Sequence, residues 1–268
     1  MSSSLRDNAL DALMQPFEGG LLRWPQAGDA LFLRAREGAA LHAAGTRGFA
    51  CTQPFKPEAD RLQRIGADML DEDALPDAKF PLVLVLPPRQ REEARALLAK
   101  ACKAVAAGGI VIASVANDEG AKSREADLKQ LAGSVTTISK HHCRVFWTRP
   151  DTAFDAALLA QWAKADAPRM QESADVPAGE FRTRHGVFAW DRIDAASKML
   201  AEALPADLRG RVADFGAGWG YLSLQVLARC KQATSLDLYE ADARALAFAD
   251  ENLGDALIPA HCPWQDVA

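Results

Sequence analysis

Aromatic residues are scarce in this chain, and no short sequence repeat runs through it, although both halves read as α/β and suggest two copies of one architecture. Only 7% of its 268 residues are aromatic, two of them tyrosines. No motif recurs with a period of about 20 to 50 residues, which excludes solenoid and propeller architectures, and there is no low-complexity tract. The five cysteines, at 51, 102, 143, 230 and 262, are widely spaced with no C-x-x-C pair. That excludes a disulfide framework or a zinc ribbon and reads as reduced thiols in a cytosolic protein. The start, Met1-Ser2-Ser3-Ser4-Leu5-Arg6, has no apolar core, so it is not read as a secretory signal. The longest apolar tract, residues 104–116, is broken by Gly108-Gly109 and is too short to span a bilayer. Net charge is -5, so the chain is no general polyanion binder, and any nucleic-acid contact must come from a local basic patch.

The composition, 49% apolar and 25% charged, is that of a globular protein long enough for two domains. The most informative stretch is residues 211–240. Arg211-Val212-Ala213 reads as a strand. Asp214-Phe215-Gly216-Ala217-Gly218-Trp219-Gly220 is a D-x-G-x-G-x-G loop. Residues 221–229 have helical spacing, residues 233–238 form a second strand, and Glu240 lies just past its end. This is a βαβ unit whose glycines let backbone N–H groups approach a ligand.

Elsewhere, helical spacing covers residues 5–14, with Pro16, Gly19 and Gly20 expected to stop the helix. Residues 29–36 read as a strand, and residues 54–60 as a loop entering a helix. The apolar runs at 79–86 and 110–115 read as strands buried on both faces. Between them, residues 89–106 form a helix, with Gly108-Gly109 as its cap. A further helix at 123–132 and a closing strand at 144–148 complete the first half. Strands alternating with helices argue for a parallel α/β sheet. In the second half, residues 154–165 form a helix and the polar residues 167–179 read as a linker. Short β structure within 181–188, a helix at 193–204, a helix at 243–253 and a strand at 256–260 follow.

The chemistry of the loop separates two cofactors. A dinucleotide fingerprint is G-x-G-x-x-G, but residue 221 is tyrosine. Asp214, two residues before the first glycine, would repel a pyrophosphate and attract an ammonium group. Glu240 is placed to accept hydrogen bonds from ribose hydroxyls. A cofactor carrying an ammonium and a sulfonium suits two acids, which favours S-adenosyl-L-methionine over NAD. An NAD-dependent oxidoreductase is the weaker reading.

On these residues the sequence resembles the class I S-adenosylmethionine-dependent methyltransferases, and among them the methyltransferase small-domain proteins that methylate the N2 amine of guanine in ribosomal RNA. Gly186-Val187-Phe188, with Asp194 and Ser197, resembles the segment that precedes the family's glycine loop, although Ala196 stands where a glycine is usual. The resemblance implies an α/β fold of two tandem Rossmann-like methyltransferase domains, the first degenerate and the second truncated in this chain. The expected limits are 1–150 for the degenerate domain, 151–180 for a helix and linker, and 181–268 for the first part of the cofactor-binding domain. Leu86-Pro87-Pro88-Arg89 stands where a catalytic domain of the family shows Asn-Pro-Pro-aromatic, and residues 117–125 also resemble the family's first domain. The family's catalytic motif follows the fourth strand of the second domain, and no such sequence lies within residues 1–268. No catalytic residue is therefore assigned.

The resemblance implies a cofactor site of Asp214, Gly216, Ala217, Gly218, Gly220, Glu240 and Asp266, with Asp266 at the adenine amine. It implies rRNA methylation in the cytoplasm, with ribosomal RNA or a ribosomal subunit as partner and neither metal nor membrane. The alternative is a non-catalytic RNA-binding or ribosome-assembly module. Several residues keep two readings. Trp219 either stacks on a ligand or packs on the neighbouring helix. Arg89, Arg91, Arg95, Lys100 and Lys103 either contact RNA phosphates or form a solvated helix face. Asp266 either meets the adenine or caps a loop. Cys102 and Cys230 read as core. His141-His142-Cys143 is not expected to bind metal, because neighbouring strand residues point to opposite faces.

Overall fold

The computed structural model describes residues 7–26, 29–43, 49–254 and 260–265. The chain divides into two compact units, Met1–Gln53 with Glu58–Asp166, and Pro54–Pro57 with Ala167–Ala268.

The first unit runs α1 (Asn8–Glu18), β1 (Ala30–Leu33), α2 (Ala39–Ala43), β2 (Ala50–Thr52), α3 (Lys56–Arg64), β3 (Asp68–Met69), β4 (Phe80–Val85), α4 (Arg91–Ala104), β5 (Val105–Ala116), α5 (Ala121–Ala132), β6 (Thr136–Lys140), β7 (Cys143–Trp147) and α6 (Ala156–Ala165). Its seven strands lie in the order β3-β2-β1-β4-β5-β7-β6. Strand alternation sends Leu31, Leu33, Val83 and Val85 to one face, where they meet Leu97, Leu98, Leu128, Leu159 and Trp162 of α4, α5 and α6. The opposite face carries Phe32, Leu82 and Leu84, packed on Leu10, Leu13 and Met14 of α1. A sheet covered on both faces explains why its inner strands read as unbroken apolar runs.

The sheet is mixed, against the expectation of a parallel one. β7 pairs antiparallel with both β5 and β6. β6 was not expected at all. His141 and His142 form its connection to β7, both with positive φ, 50° and 58°. Two such residues make the tight reversal that joins antiparallel strands, while a parallel return needs a long crossover. The two histidines therefore occupy a turn and not a strand. Two breakers also act differently. Pro16 lies inside α1, where its ring removes one amide donor near the helix end without stopping the helix. α4 ends at Ala104, and Gly108 and Gly109 fall within β5. A Cβ on Gly109 would lie 2.8 Å from the Pro81 carbonyl oxygen, so that glycine lets two strands meet closely instead of capping a helix.

The second unit contains β8 (Arg169–Glu172), β9 (Glu180–Thr183), α7 (Ala195–Ala203), β10 (Arg209–Phe215), α8 (Tyr221–Arg229), β11 (Gln232–Tyr239), α9 (Ala243–Leu253) and β12 (Ala260–His261). β10, β11 and β12 form a parallel sheet in that order, and β8 and β9 form a separate antiparallel hairpin. The stretch read as a linker thus holds a strand. Val226 of α8 and Leu246, Ala249 and Leu253 of α9 pack on Val212, Leu236 and Leu238. The expected strand at 256–260 lies outside the described residues except for Ala260. Among the described residues no helix is long and apolar enough to cross a membrane.

Candidate ligand site at the glycine loop

Parallel pairing of β10 with β11 sets Asp214 opposite Leu238 and Phe215 opposite Tyr239. Asp214 and Glu240 therefore stand at the carboxyl ends of adjacent strands, where open α/β sheets bind ligands. Between them the loop turns through Gly216, Gly218 and Gly220, with φ of 74°, 57° and 95°. L side chains rarely adopt this region, which is why glycine recurs at alternate positions. A Cβ at Gly216 or Gly218 would meet nothing within 4 Å, while one at Gly220 would meet the Cα of Ala249 at 3.3 Å. The first two glycines thus border open space, and the third lets α9 approach.

Backbone and side-chain bonds define the loop. Gly216 and Ala217 N–H both donate to the Tyr239 carbonyl, at 2.8 and 3.1 Å, and Gly220 N–H donates to the Ala217 carbonyl at 2.9 Å. Gly218 N–H donates to Glu240 Oε2 at 2.8 Å. The other oxygen, Oε1, accepts from Asp242 N–H at 2.7 Å. A carboxylate offers about four lone-pair sites. Two backbone donors leave Glu240 with acceptor capacity for a further pair of donors, such as vicinal hydroxyls.

Asp214 Oδ2 accepts from Ser223 Oγ of α8 at 2.7 Å. Burial pushes the Asp214 carboxyl above its ordinary value, the Ser223 bonds work against that, and the Glu240 charge adds to the upward push. Nearby acids are answered by cations: Asp242 by Arg244 at 2.7 Å, and Asp237 by Arg211 at 3.0 Å. Among the described residues neither Asp214 nor Glu240 has an ion-pair partner. Two carboxylates that repel each other, beside open space, make a site for a cation carrying hydroxyl donors.

The structure brings Asp214, Gly216, Ala217, Gly218, Gly220 and Glu240 into this one site, whereas Asp266 lies outside the described residues. Trp219 takes the packing reading. It is 4% exposed and stacks on Phe181 of β9 with centroids 3.9 Å apart and planes at 10°. Three supports escaped the sequence reading. Ser223 stands among apolar residues in the first turn of α8, which was its only signal. Arg244 bonds Asp242 and approaches the Gly186 carbonyl at 3.5 Å. Asn252 donates to the Trp219 and Arg182 carbonyls, each at 3.0 Å, and accepts from Arg182 N–H at 2.6 Å.

Four of the five basic residues singled out in the first unit meet acids. Arg91 and Arg95 bind Asp127 at 3.1 Å, Arg89 binds Glu119 at 3.0 Å, and Lys100 binds Asp73 at 2.7 Å. A face so neutralised favours the solvated reading over phosphate binding. Cys102 and Cys230 are buried. Among the described residues no His, Cys, Asp and Glu groups gather as a metal site.

Residues 178–268 match the family model of the methyltransferase small domain. A relative from Psychromonas ingrahamii, named ribosomal RNA small subunit methyltransferase C, is 29% identical over 178 residues, covering 66% of this chain and 50% of the relative. One from Shewanella baltica with the same name is 28% identical over 191 residues, covering 70% and 53%. The chain thus spans about half the length of the curated relatives it matches. Among solved structures, a T. thermophilus 16S rRNA N2 methyltransferase in complex with AdoMet and guanosine superposes with a TM-score of 0.74 at 19% identity, covering 99% of this chain and 71% of its own. The fold is accordingly an α/β methyltransferase fold with a mixed central sheet. In fold over nearly its whole length, and in sequence over about two thirds of it, the chain is similar to the small-domain methyltransferases named ribosomal RNA small subunit methyltransferase C.

Proposed function

We propose that this chain belongs to an S-adenosylmethionine-dependent methyltransferase that modifies ribosomal RNA at the guanine N2 amine. On this reading two Rossmann-like domains stand in tandem. The first, within 1–150, is degenerate. Residues 151–180 connect it to the start of the cofactor-binding domain at 181–268. The observation that carries the reading is the pair of carboxylates, Asp214 and Glu240, on either side of an open glycine loop and without cationic partners among the described residues. The names of the relatives support the RNA substrate, and the AdoMet and guanosine bound in the T. thermophilus structure support the cofactor and the guanine.

When bound, S-adenosylmethionine supplies a methyl group made electrophilic by its sulfonium sulfur. The chain's own residues hold and orient. Asp214 takes the ammonium end, and its charge complements the sulfonium. Glu240 accepts the ribose hydroxyls on the lone pairs that Gly218 and Asp242 leave open. Gly216 and Gly218 keep side chains out of the cofactor's path, Ala217 packs its methyl in the core beneath the loop, and Gly220 lets α9 close against it. Asp266 is assigned to the adenine amine. Catalysis in such a site is mostly orientation, since an amine held in line with the methyl needs little further chemistry. The partner is ribosomal RNA or a ribosomal subunit, met in the cytoplasm.

Calorimetry tests the reading. Glu240→Ala removes both ribose contacts and the Gly218 support, and it weakens S-adenosylmethionine binding at least about tenfold, a loss near 1.4 kcal/mol. Unchanged affinity would refute the assignment. Methyl transfer from labelled cofactor to ribosomal RNA or assembled subunits separates an enzyme from a binding module that holds RNA and transfers nothing.

A further inference from the structure

We propose that Asn252 is a positioning residue for the glycine loop, fixing the Trp219 carbonyl so that the loop keeps its binding shape before any ligand arrives. The proposal rests on the S-adenosylmethionine reading above. Asn252 is the penultimate residue of α9. Its amide group has two donor hydrogens and one acceptor oxygen, and all are used away from its own helix. The donors go to the carbonyls of Trp219 and Arg182 at 3.0 Å each, and the oxygen accepts from Arg182 N–H at 2.6 Å. The ordinary use of an asparagine near a helix end is to close that end. Here Gly254, with φ of 52°, does so, its N–H bonding the Asp250 carbonyl. The Asn252 side chain is free for the long-range bonds.

What it joins matters. Trp219 lies between Gly218, whose N–H is held by Glu240, and Gly220, which abuts Ala249. The Trp219 ring stacks on Phe181, the residue beside Arg182 on β9. One amide therefore ties together the loop carbonyl, the strand that supplies the stacking ring, and the helix against which Gly220 rests. Without it the Trp219 peptide gains alternative orientations, and with them the Gly218 and Gly220 peptides. A ligand then binds only the fraction of molecules that hold the right shape, and apparent affinity falls by that fraction.

The test is a calorimetric titration of the full chain with S-adenosylmethionine. Asn252→Leu keeps the bulk and removes all three bonds, whereas Asn252→Asp keeps the acceptor and removes both donations. Both raise the dissociation constant about tenfold, as when about one molecule in ten holds the binding shape, while one cofactor still binds per folded chain. Leu204→Ala, a packing change at the end of α7 in the same unit, lowers stability and leaves the dissociation constant unchanged. Asn252 variants with the wild-type constant and a reduced stoichiometry would show a purely structural role and overturn the proposal alone. Failure of the wild-type chain to bind would overturn the cofactor reading and the proposal with it.

Discussion

Two glycines in one loop are expected to fail in opposite ways when each receives a single methyl group. Gly218→Ala puts a Cβ where nothing lies within 4 Å, at φ 57°. Its cost to the fold is the left-handed backbone alone, about 1–2 kcal/mol. Gly220→Ala meets the same backbone cost at φ 95°, and its Cβ also presses on Ala249 Cα at 3.3 Å and Cβ at 3.4 Å. The nearest atom is backbone, so it cannot swing aside. Overpacking of that kind adds about 1–3 kcal/mol. The difference between the variants is therefore at least about 1 kcal/mol, or about 4–8 °C in melting temperature for a unit of this size. Ligand binding runs the other way for Gly218. Its N–H holds Glu240 at 2.8 Å, so a methyl group there enters the space beside the carboxylate proposed to receive the ribose. Gly218→Ala is expected to lose cofactor affinity about tenfold or more while remaining the more stable variant. Amide hydrogen exchange in α8 and α9 reads the stability of this unit rather than of the other, and calorimetry reads the affinity. Equal stabilities, or wild-type affinity in Gly218→Ala, would refute the division of the loop into a ligand-facing and a helix-facing glycine.

Asp214→Asn should stabilise the ligand-free protein at neutral pH while abolishing cofactor binding. Burial raises the native carboxyl above 3.8, its ordinary value. The unfolded chain therefore loses its proton first as pH rises. The favourable contribution is present below 3.8 and is lost as pH climbs through the native value. Melting curves of wild type and variant should converge in acid and separate toward neutrality, and a gap that does not change with pH would refute the sign. Trp219 tests packing against ligand contact. Trp219→Ala should cost about 3–5 kcal/mol of stability by urea unfolding. Trp219→Phe, which keeps a ring on Phe181, should hold the cofactor dissociation constant within about twofold, and a large loss there would return Trp219 to the ligand.

The parts of the site legible in the sequence are those that are local. Asp214, the three glycines and Glu240 fall within one βαβ unit, and parallel pairing of its two strands brings their ends together by right-handed connection alone. α8 and α9 begin and end where the periodicity places them, because Gly220 opens one and Asp242 and Gly254 bracket the other. The supports are legible only in three dimensions. Asn252 and Arg182 are 70 residues apart, and no spacing rule connects them. Ser223 faces a carboxylate from a helix whose pattern otherwise describes only its apolar side. In the first unit the antiparallel β6–β7 hairpin was hidden because His-His is not the Asn-Gly signal of a tight turn. Short elements such as β2, β3 and α2 carry too few residues for a period to emerge.

The network around Glu240 has a kinetic consequence. Its carboxylate already holds Gly218 and Asp242, and Tyr239 already holds Gly216 and Ala217. A ligand entering this loop meets a surface that need not order itself during the encounter. Arrival is then governed by diffusion and by the pull of two acids on a cation. Differences among analogues fall on the time each remains bound rather than on the speed with which it finds the site.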